Sequence, residues 1–157
     1  LFGDGAGAAL LENTFEPSGL GIGSTILGTD GTGADKLYIS PDRQVHMNGR
    51  AVYEFAVSHI TDTVKTLLAK EHLHADDLDL IVCHQANERI LEAAAKRLKI
   101  DFGKFVCNLE NYGNTSAASI PITLTELVEQ GKLHDGMTIL ITGFGAGLTW
   151  GGAIIRF

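Results

Sequence analysis

The chain has 157 residues, the length of one ordinary domain, and its hydrophobic share of 45% and charged share of 20% are typical of globular proteins. This composition excludes a disordered tail, a collagen-like fibre and a coiled coil, and no apolar run approaches the ~18 residues that span a bilayer. The net charge of −7 argues against nucleic-acid binding, which needs many cations to neutralise phosphates. Because only two cysteines are present and no signal peptide is visible, we expect a reduced, intracellular protein.

Two similar glycine segments stand near the two ends of the chain, Gly3-Asp4-Gly5-Ala6-Gly7 and Gly143-Phe144-Gly145-Ala146-Gly147. They lie 140 residues apart, and apolar residues predicted to form a strand follow each of them. We interpret them as the ends of two units of a duplication. Residues 1–13 would then be the last strand of a preceding half, and residues 14–157 would be the second half. The chain also starts without Met, so we expect it to be a fragment.

The first half of the sequence predicts two strands and a long helix. Strands are predicted over residues 5–13 and 20–29, with a turn at residues 30–33. A helix should begin after Asn48, which suits an N-cap. Its apolar side chains recur at helical spacing and predict one buried stripe: Val52, Phe55, Ala56, Ile60, Val64, Leu67 and Leu68.

The second half of the sequence predicts alternating strands and helices. The apolar run of residues 78–83 is typical of a parallel strand covered on both faces. Asn87 should cap the next helix, and a third helix should run from about residue 116 to residue 130 with Pro121 in its first turn. Residues 137–142 and 148–156, joined by the second glycine segment, predict an antiparallel pair. This order indicates an α/β sheet layered by helices.

Two polar residues are candidates for chemistry. His84 follows the apolar run directly, and open α/β sheets bind ligands at the carboxyl ends of their strands. A helix N-terminus at Asn87 would favour a neutral imidazole, which can donate to a carbonyl oxygen. Asn114 follows a glycine turn, and its amide is a donor that keeps its proton, as an oxyanion site requires. The alternatives are a structural histidine, and an Asx turn or helix cap at Asn114.

The remaining candidates give weaker indications. The glycine loop of residues 143–147 could present backbone N–H groups to an anion, or could simply connect a hairpin. It lacks the strand, G-x-G-x-x-G and helix order of a dinucleotide site. Cys83 and His84 point to opposite faces of a strand and cannot bind one metal together, so we expect no metal site. Cys107 has only Lys104 as a cationic neighbour, which argues against a reactive thiolate.

Four segments together resemble the β-ketoacyl-acyl carrier protein synthase III family: Leu1–Gly7, Cys83-His84-Gln85-Ala86-Asn87-Glu88-Arg89-Ile90, the run from Asn111 to Pro121, and the run from Gly143 to Gly151. The resemblance covers essentially the whole chain. It implies a thiolase-like α/β fold of which this chain is the C-terminal half, with a mixed, mostly parallel sheet flanked by helices. It also implies a Cys-His-Asn catalytic set in which His84 and Asn114 are present and the nucleophilic Cys lies in the preceding half.

The reaction implied by the resemblance is a decarboxylating Claisen condensation. An acyl group, usually from acetyl-CoA, loads the absent Cys, and malonyl-acyl carrier protein then loses CO2. His84 and Asn114 would donate to the malonyl thioester oxygen, and the loop of Gly145, Ala146 and Gly147 would hold the acyl oxyanion through the Ala146 N–H. No cofactor is implied, since the CoA thioester and the phosphopantetheine-bearing carrier protein are substrates.

The resemblance also implies binding surfaces and partners. The carrier protein would dock on Gln85, Ala86, Asn87, Glu88 and Arg89, beside a basic helix face that could equally be ordinary solvated surface. The CoA tunnel would be lined by Arg50, Tyr53, Ala56, Asn87, Arg89 and Phe144. The implied partners are acyl carrier protein, an acyl-CoA, the chain's own N-terminal half and a second copy in a homodimer, with no nucleic acid or membrane. We expect a cytoplasmic protein, or an organellar one in a eukaryote.

Two alternative functions stay open on the sequence alone. One is a related thiolase-fold acyltransferase that uses a different primer, because primer selectivity lies largely outside this chain. The other is a carrier-protein binding module without catalysis. The sequence also predicts that the chain is poorly stable by itself, because an unpaired edge would be exposed around residues 1–13.

Overall fold

A mixed five-stranded sheet with helices on both faces organises the chain. The computed structural model describes residues 2–13 and 19–157. Its strands are β1 (Gly21–Thr29), β2 (Leu37–Ile39), β3 (Val45–Met47), β4 (Leu80–Cys83), β5 (Phe105–Val106), β6 (Thr138–Gly145) and β7 (Thr149–Arg156). Its α-helices are α1 (Gly49–Glu71), α2 (Glu88–Leu98), α3 (Leu109–Tyr112) and α4 (Ser119–Glu129).

The large sheet has the strand order β1-β7-β6-β4-β5. The pairs β4–β5 and β4–β6 are parallel, and the pairs β1–β7 and β6–β7 are antiparallel. The mixed sheet is therefore confirmed, but within the described part of the chain the two kinds of pairing are equal in number. Four of the five strands, β1, β6, β4 and β5, nevertheless run in the same direction and β7 alone is reversed, so the expected mixed, mostly parallel sheet is confirmed.

Neighbouring residues of the central strands face two separate cores. On β4, Ile81 packs with the buried faces of α1 and α2, whereas Val82 packs with Leu127 of α4 on the opposite side. Side chains alternate across a strand, so an unbroken apolar run requires cover on both faces. This arrangement confirms the expectation for residues 78–83 and leaves the carboxyl ends of β4 and β6 as the open edge.

The helix starts follow the predicted caps. The side chain of Asn48 accepts a hydrogen bond from Ala51 N at 3.1 Å, and that of Asn87 accepts one from Arg89 N at 3.0 Å. Helix α4 begins at Ser119 rather than near residue 116, because residues 116–118 form a separate 3₁₀ turn in which Ser116 has a positive φ of 53°. The third helix is thus shorter than predicted.

The strand predicted over residues 5–13 is wrong for this structure. These residues are exposed and belong to no strand, and Leu10 and Leu11 are 85% and 74% exposed. A strand needs a partner for its N–H and C=O groups, and the described sheet pairs none with this segment. The assignment of residues 1–13 to a preceding half stays a prediction, and the boundary at residue 14 lies outside the described residues.

A second, two-stranded sheet was not predicted from the sequence. Strands β2 and β3 pair antiparallel, with Leu37, Tyr38 and Ile39 opposite Met47, His46 and Val45. The rings of Tyr38 and His46 stack with their centroids 5.0 Å apart. This hairpin leads into α1 and forms one side of the cleft described next.

Candidate active site

A cleft of about 420 Å³ opens beside the carboxyl ends of β4 and β6. Four polar residues line it, His84, Asn114, Ser116 and Ser119, together with the chain from Gly143 to Ala146. Its apolar lining comes from Phe2, Ile120 and the β2–β3 hairpin, through Leu37, Tyr38, Ile39 and Val45. The two candidate catalytic residues, which are 30 positions apart in sequence, therefore share one largely apolar cleft.

His84 is fixed where β4 ends. Its backbone N–H donates to Thr142 O at 2.8 Å, continuing the pairing of β4 with β6. Its Nδ1 lies 2.8 Å from Ser119 Oγ, and its ring meets that of Phe144 edge-on with centroids 5.3 Å apart. Burial lowers the pKa of His84, and a hydrogen bond to the Ser116 carbonyl partly opposes this. The imidazole is thus neutral near pH 7 and can donate one hydrogen.

Asn114 is oriented by the turn that it begins. Its Oδ1 accepts a hydrogen bond from Ser116 N at 2.9 Å, which is the Asx geometry expected of this segment. Among the described residues no acceptor forms a hydrogen bond with Nδ2. Nδ2 is also absent from the polar atoms that are buried there without a partner. The turn and the chemistry are therefore compatible, because the oxygen anchors the amide and the nitrogen stays available as a donor.

The first residues of the chain support the Asn114 loop, which the sequence did not reveal. Gly3 N donates to Asn114 O at 2.9 Å, and Phe2 forms a parallel bridge with Asn114. A Cβ placed on Gly3 would lie 1.9 Å from the carbonyl oxygen of Tyr112, so only glycine allows this approach. The first glycine segment thus packs against the site, and its clustered glycines were the signal for close backbone contact.

The second glycine segment is mostly strand. Gly143, Phe144 and Gly145 continue β6 and pair with residues 151, 150 and 149 of β7, so the tight connection that joins the two strands lies at residues 146–148. The antiparallel pair is confirmed. Ala146 is exposed and lines the cleft, whereas Gly147 does not belong to the cleft lining. The oxyanion role of Gly145, Ala146 and Gly147 stays a prediction.

Similarity to known proteins identifies the family. Residues 68–157 match the family described as 3-oxoacyl-[acyl-carrier-protein (ACP)] synthase III C terminal. The chain belongs to this family. A curated relative from Bacillus pumilus, named beta-ketoacyl-[acyl-carrier-protein] synthase III, is 48% identical over 157 residues, covering 100% of this chain and 50% of that protein. One from Staphylococcus aureus with the same name is 46% identical over 158 residues, with the same coverage.

Solved structures of synthase III proteins share the fold. The one from Aquifex aeolicus has a TM-score of 0.88 at 35% identity, covering 92% of this chain and 47% of that one. The one from Thermus thermophilus has a TM-score of 0.83 at 40% identity, covering 89% of this chain and 47% of that one. The thiolase-like fold and the family resemblance are confirmed, and the chain spans about half the length of the relatives it matches.

The predicted carrier-protein patch divides into an inner and an outer part. Asn87, Glu88 and Arg89 are exposed at the start of α2. Gln85 is 1% exposed, and its amide donates to Cys83 O and Val106 O at 3.0 Å each while its oxygen accepts from Asn108 N. The Gln85 side chain is therefore an internal brace, and its contact with a carrier protein stays a prediction. Ala86 is half-buried against the core.

The residues predicted to line a CoA tunnel lie in different surroundings. Tyr53 and Arg89 are neighbours, since the Tyr53 hydroxyl donates to Arg89 O at 3.5 Å. Arg50 lies at the start of α1, 89% exposed at its side chain, and pairs with Glu54 at 2.9 Å. Ala56 is fully buried in the core between α1 and the sheet, and its place on a tunnel wall stays a prediction.

Neither cysteine suits a nucleophile. Cys83 is fully buried, and burial raises the pKa of its thiol to about 12. Burial also raises the pKa of Cys107, with Glu88 and Glu110 adding to the effect, and neither thiol lines the cleft. In the described parts of the chain no three His, Cys, Asp or Glu side chains are grouped to hold a metal, and no helix there has the length and apolar character to cross a membrane.

Proposed function

We propose that this chain is the C-terminal half of a 3-oxoacyl-ACP synthase III that condenses an acyl-CoA primer, acetyl-CoA by preference, with malonyl-ACP. The observation that carries the proposal is the shared cleft, in which a neutral histidine and an amide oriented to donate line the same apolar space. Two neutral donors in an apolar cleft suit a reaction that creates a negative oxygen from a neutral thioester.

The chemistry assigned to these residues is the decarboxylation step. The bond between the malonyl carboxylate and the α-carbon breaks, CO2 leaves, and the electron pair passes to the thioester as an enolate. His84 Nε2–H and Asn114 Nδ2–H would donate to that oxygen, and one such donor is typically worth about 3–4 kcal/mol of barrier. The carbanion then attacks the acyl thioester on the enzyme, forming the new C–C bond and releasing the enzyme thiolate.

The acyl-carrying nucleophile belongs to the preceding half in this proposal. Cys83 and Cys107 both have raised pKa values and lie outside the cleft, so neither is suited to carry the acyl group that the enolate attacks. Phe144 would serve as the apolar wall beside His84 that keeps water from the carbanion. The Ala146 N–H, at the exposed end of β6, would hold the oxygen of the acyl group under attack.

The start of α2 is the proposed docking surface for the carrier protein. Asn87 and Arg89 are exposed two and four residues beyond Gln85, and Lys96, Arg97 and Lys99 extend the positive charge along the same helix. A local cationic surface on a chain of net charge −7 steers an acidic partner to one place. The proximity of Tyr53 to Arg89 supports their shared role beside the pantetheine arm.

The test uses the intact synthase, in which this chain follows its N-terminal half. Formation of 3-oxoacyl-ACP from acetyl-CoA and malonyl-ACP is the expected activity, and His84→Ala should reduce malonyl decarboxylation by at least about a hundredfold. Near-normal turnover in His84→Ala would overturn the assigned role. Competition among acyl-CoA primers of increasing length separates the main proposal from a related acyltransferase that uses another primer.

The other predicted properties of the whole protein are part of the same proposal. We expect a cytoplasmic or organellar homodimer that needs no cofactor besides its thioester substrates. Sedimentation of the intact synthase measures the dimer. Titration of this chain alone with carrier protein at several salt concentrations tests the binding-module alternative, since binding without turnover in the intact protein would favour it.

A further inference from the structure

A buried hydroxyl contacts the Nδ1 atom of the His84 ring. Nδ1 of His84 lies 2.8 Å from Oγ of Ser119, the first residue of α4, which is only 2% exposed. Nε2 is the ring nitrogen that Ser119 does not contact. The hydrogen in the 2.8 Å contact can sit on either atom, and its position decides which ring nitrogen is a donor.

The hydrogen bonds of Ser119 favour a hydroxyl that donates to Nδ1. A hydroxyl has one hydrogen to donate, and Oγ already accepts a hydrogen bond from Gln85 N at 3.2 Å. Within residues 2–13 and 19–157, Nδ1 is the one acceptor that contacts this hydroxyl. If Nδ1–H donated instead, the hydroxyl hydrogen would be buried without a partner, which is costly.

We propose that Ser119 is a positioning residue that donates its hydroxyl hydrogen to Nδ1 of His84 and thereby keeps the ring hydrogen on Nε2. The inference rests on the proposed function only for its catalytic consequence, because the enolate oxygen requires a donor at Nε2. The position of the ring hydrogen itself can be tested whether or not the proposed function is right.

A second set of contacts holds Ser119 in place. Thr123 Oγ1 donates to Ser119 O at 2.8 Å and lies 3.2 Å from Asn108 Oδ1. Asn108 Nδ2 donates to Glu126 Oε2 at 2.8 Å, and its backbone N–H donates to the side chain of Gln85 at 3.1 Å. These contacts fix the start of α4 relative to β4, so the hydroxyl meets Nδ1 at a constant distance.

The test reads the tautomer directly in the intact synthase, with histidine labelled by ¹⁵N. Two-bond ¹H–¹⁵N correlation above the pKa of His84 distinguishes a protonated ring nitrogen from a bare one, and the signals absent in His84→Gln assign the residue. We expect a protonated Nε2 and a bare Nδ1. A protonated Nδ1, donating to Ser119 Oγ or to the Ser116 carbonyl, would overturn the inference without any variant of Ser119.

Variants of Ser119 then test whether its hydroxyl determines which ring nitrogen of His84 is protonated. Ser119→Ala should lower the ratio of Nε2–H to Nδ1–H forms about fivefold, the shift that loss of one ordinary hydrogen bond produces. Ser119→Thr keeps the hydroxyl and should restore the ratio. Thr61→Val removes a buried hydroxyl that donates to Val57 O within α1, away from Ser119 and the ring, and should leave the ratio unchanged. An unchanged ratio in Ser119→Ala would refute the role.

Kinetics separate this inference from the proposed function. For a positioning residue, Ser119→Ala should lower kcat of malonyl decarboxylation by the same factor as the measured fall in the fraction of rings that carry Nε2–H, and should leave KM within about twofold. If the tautomers behave as expected and the intact protein makes no 3-oxoacyl-ACP, the inference about Ser119 holds and the proposed function fails.

Discussion

The side-chain oxygen of Asn114 accepts a hydrogen bond from the backbone N–H of Ser116 at 2.9 Å, and this one contact gives the amide its direction. The oxygen faces its own turn, and the NH2 group is left to the cleft. Since an Asx turn and an oxyanion donor make different demands on the side chain, a substitution that keeps one and removes the other distinguishes them.

Asn114→Asp is that substitution. The carboxylate preserves an acceptor for Ser116 N but cannot donate, and it places a negative charge where the enolate would form. We expect a loss of malonyl decarboxylation of at least about a hundredfold, as large as in Asn114→Ala. Circular dichroism and the melting temperature should stay close to wild type in Asn114→Asp. Substantial activity in this variant would show that the residue serves only the turn.

The pH dependence of the reaction should reflect the buried imidazole. Burial lowers the pKa of His84, so the neutral ring persists below the ordinary value of about 6.5. The acid limb of the malonyl decarboxylation profile should therefore lie below pH ~6.5. The unfolded chain takes up this proton more readily than the folded one, so the contribution of the neutral ring to stability is present above that pH and falls as the pH is lowered. An NMR titration in which His84 protonates above pH ~6.5 would contradict the prediction.

An ion pair between α1 and β7 should stabilise the fold in a pH-dependent way. Glu71 accepts hydrogen bonds from Ser24 N at 2.6 Å and from Arg156 at 2.5 Å, and these contacts lower the pKa of Glu71 to about 2. Glu71→Gln should reduce the free energy of unfolding at neutral pH by about 1 kcal/mol, as for a partly exposed pair. This difference is fully present above pH ~4.5 and should vanish as the pH falls toward 2, because the folded carboxylate then takes up the proton that the unfolded one already carries.

A matched control for this pair lies on the same helix. Glu54 pairs with Arg50 through side chains that are 62% and 89% exposed. Glu54→Gln should leave the free energy of unfolding nearly unchanged, because so exposed a pair is screened by solvent. Urea unfolding curves of both variants between pH 2.5 and 7 measure the difference, and equal effects of the two substitutions would refute the special role of Glu71.

Gly3→Ala should damage the site from a distance in sequence. The added Cβ would meet the Tyr112 carbonyl oxygen at 1.9 Å, and backbone there cannot yield as a flexible side chain can. We expect a destabilisation of about 1–3 kcal/mol, or displacement of the first residues with loss of the bond from Gly3 N to Asn114 O. Activity of the intact synthase should fall at least about tenfold, because Asn114 would no longer be held in its orientation.

Gly31→Ala provides the comparison for Gly3→Ala. A Cβ at Gly31 would meet no atom within 4 Å, and the residue does not have a positive φ. Its melting temperature and activity should match those of the wild type. Equal behaviour of the two variants would show that the close approach at Gly3 does not matter.

Local patterns predicted the elements that carry most of the site. The apolar run before His84 required cover on both faces, and Asn48 and Asn87 each cap a helix as their positions indicated. These features depend on residues close in sequence, so periodicity and capping were sufficient. They placed His84 at the carboxyl end of a strand.

Contacts between distant residues escaped the sequence analysis. Ser119 reaches His84 across 35 positions, and Gly3 reaches Asn114 across more than a hundred, and no local pattern encodes either contact. The β2–β3 hairpin was missed because its strands are three residues long, although Pro41-Asp42 was a usable turn signal. The strand over residues 5–13 was wrongly predicted because apolar composition indicates a capacity to pair, and pairing needs a partner.

The hydrogen bonds of the Gln85 side chain separate the imidazole of His84 from the exposed start of α2. Its amide grips main-chain groups of residues 83, 106 and 108, and it sits between an imidazole that belongs to the cleft and an exposed helix start at Asn87. A force applied to that helix from outside is resisted by three main-chain contacts before it reaches the ring. The exposed residues at the start of α2 can therefore be displaced by contact with another molecule while the imidazole of His84 keeps its position.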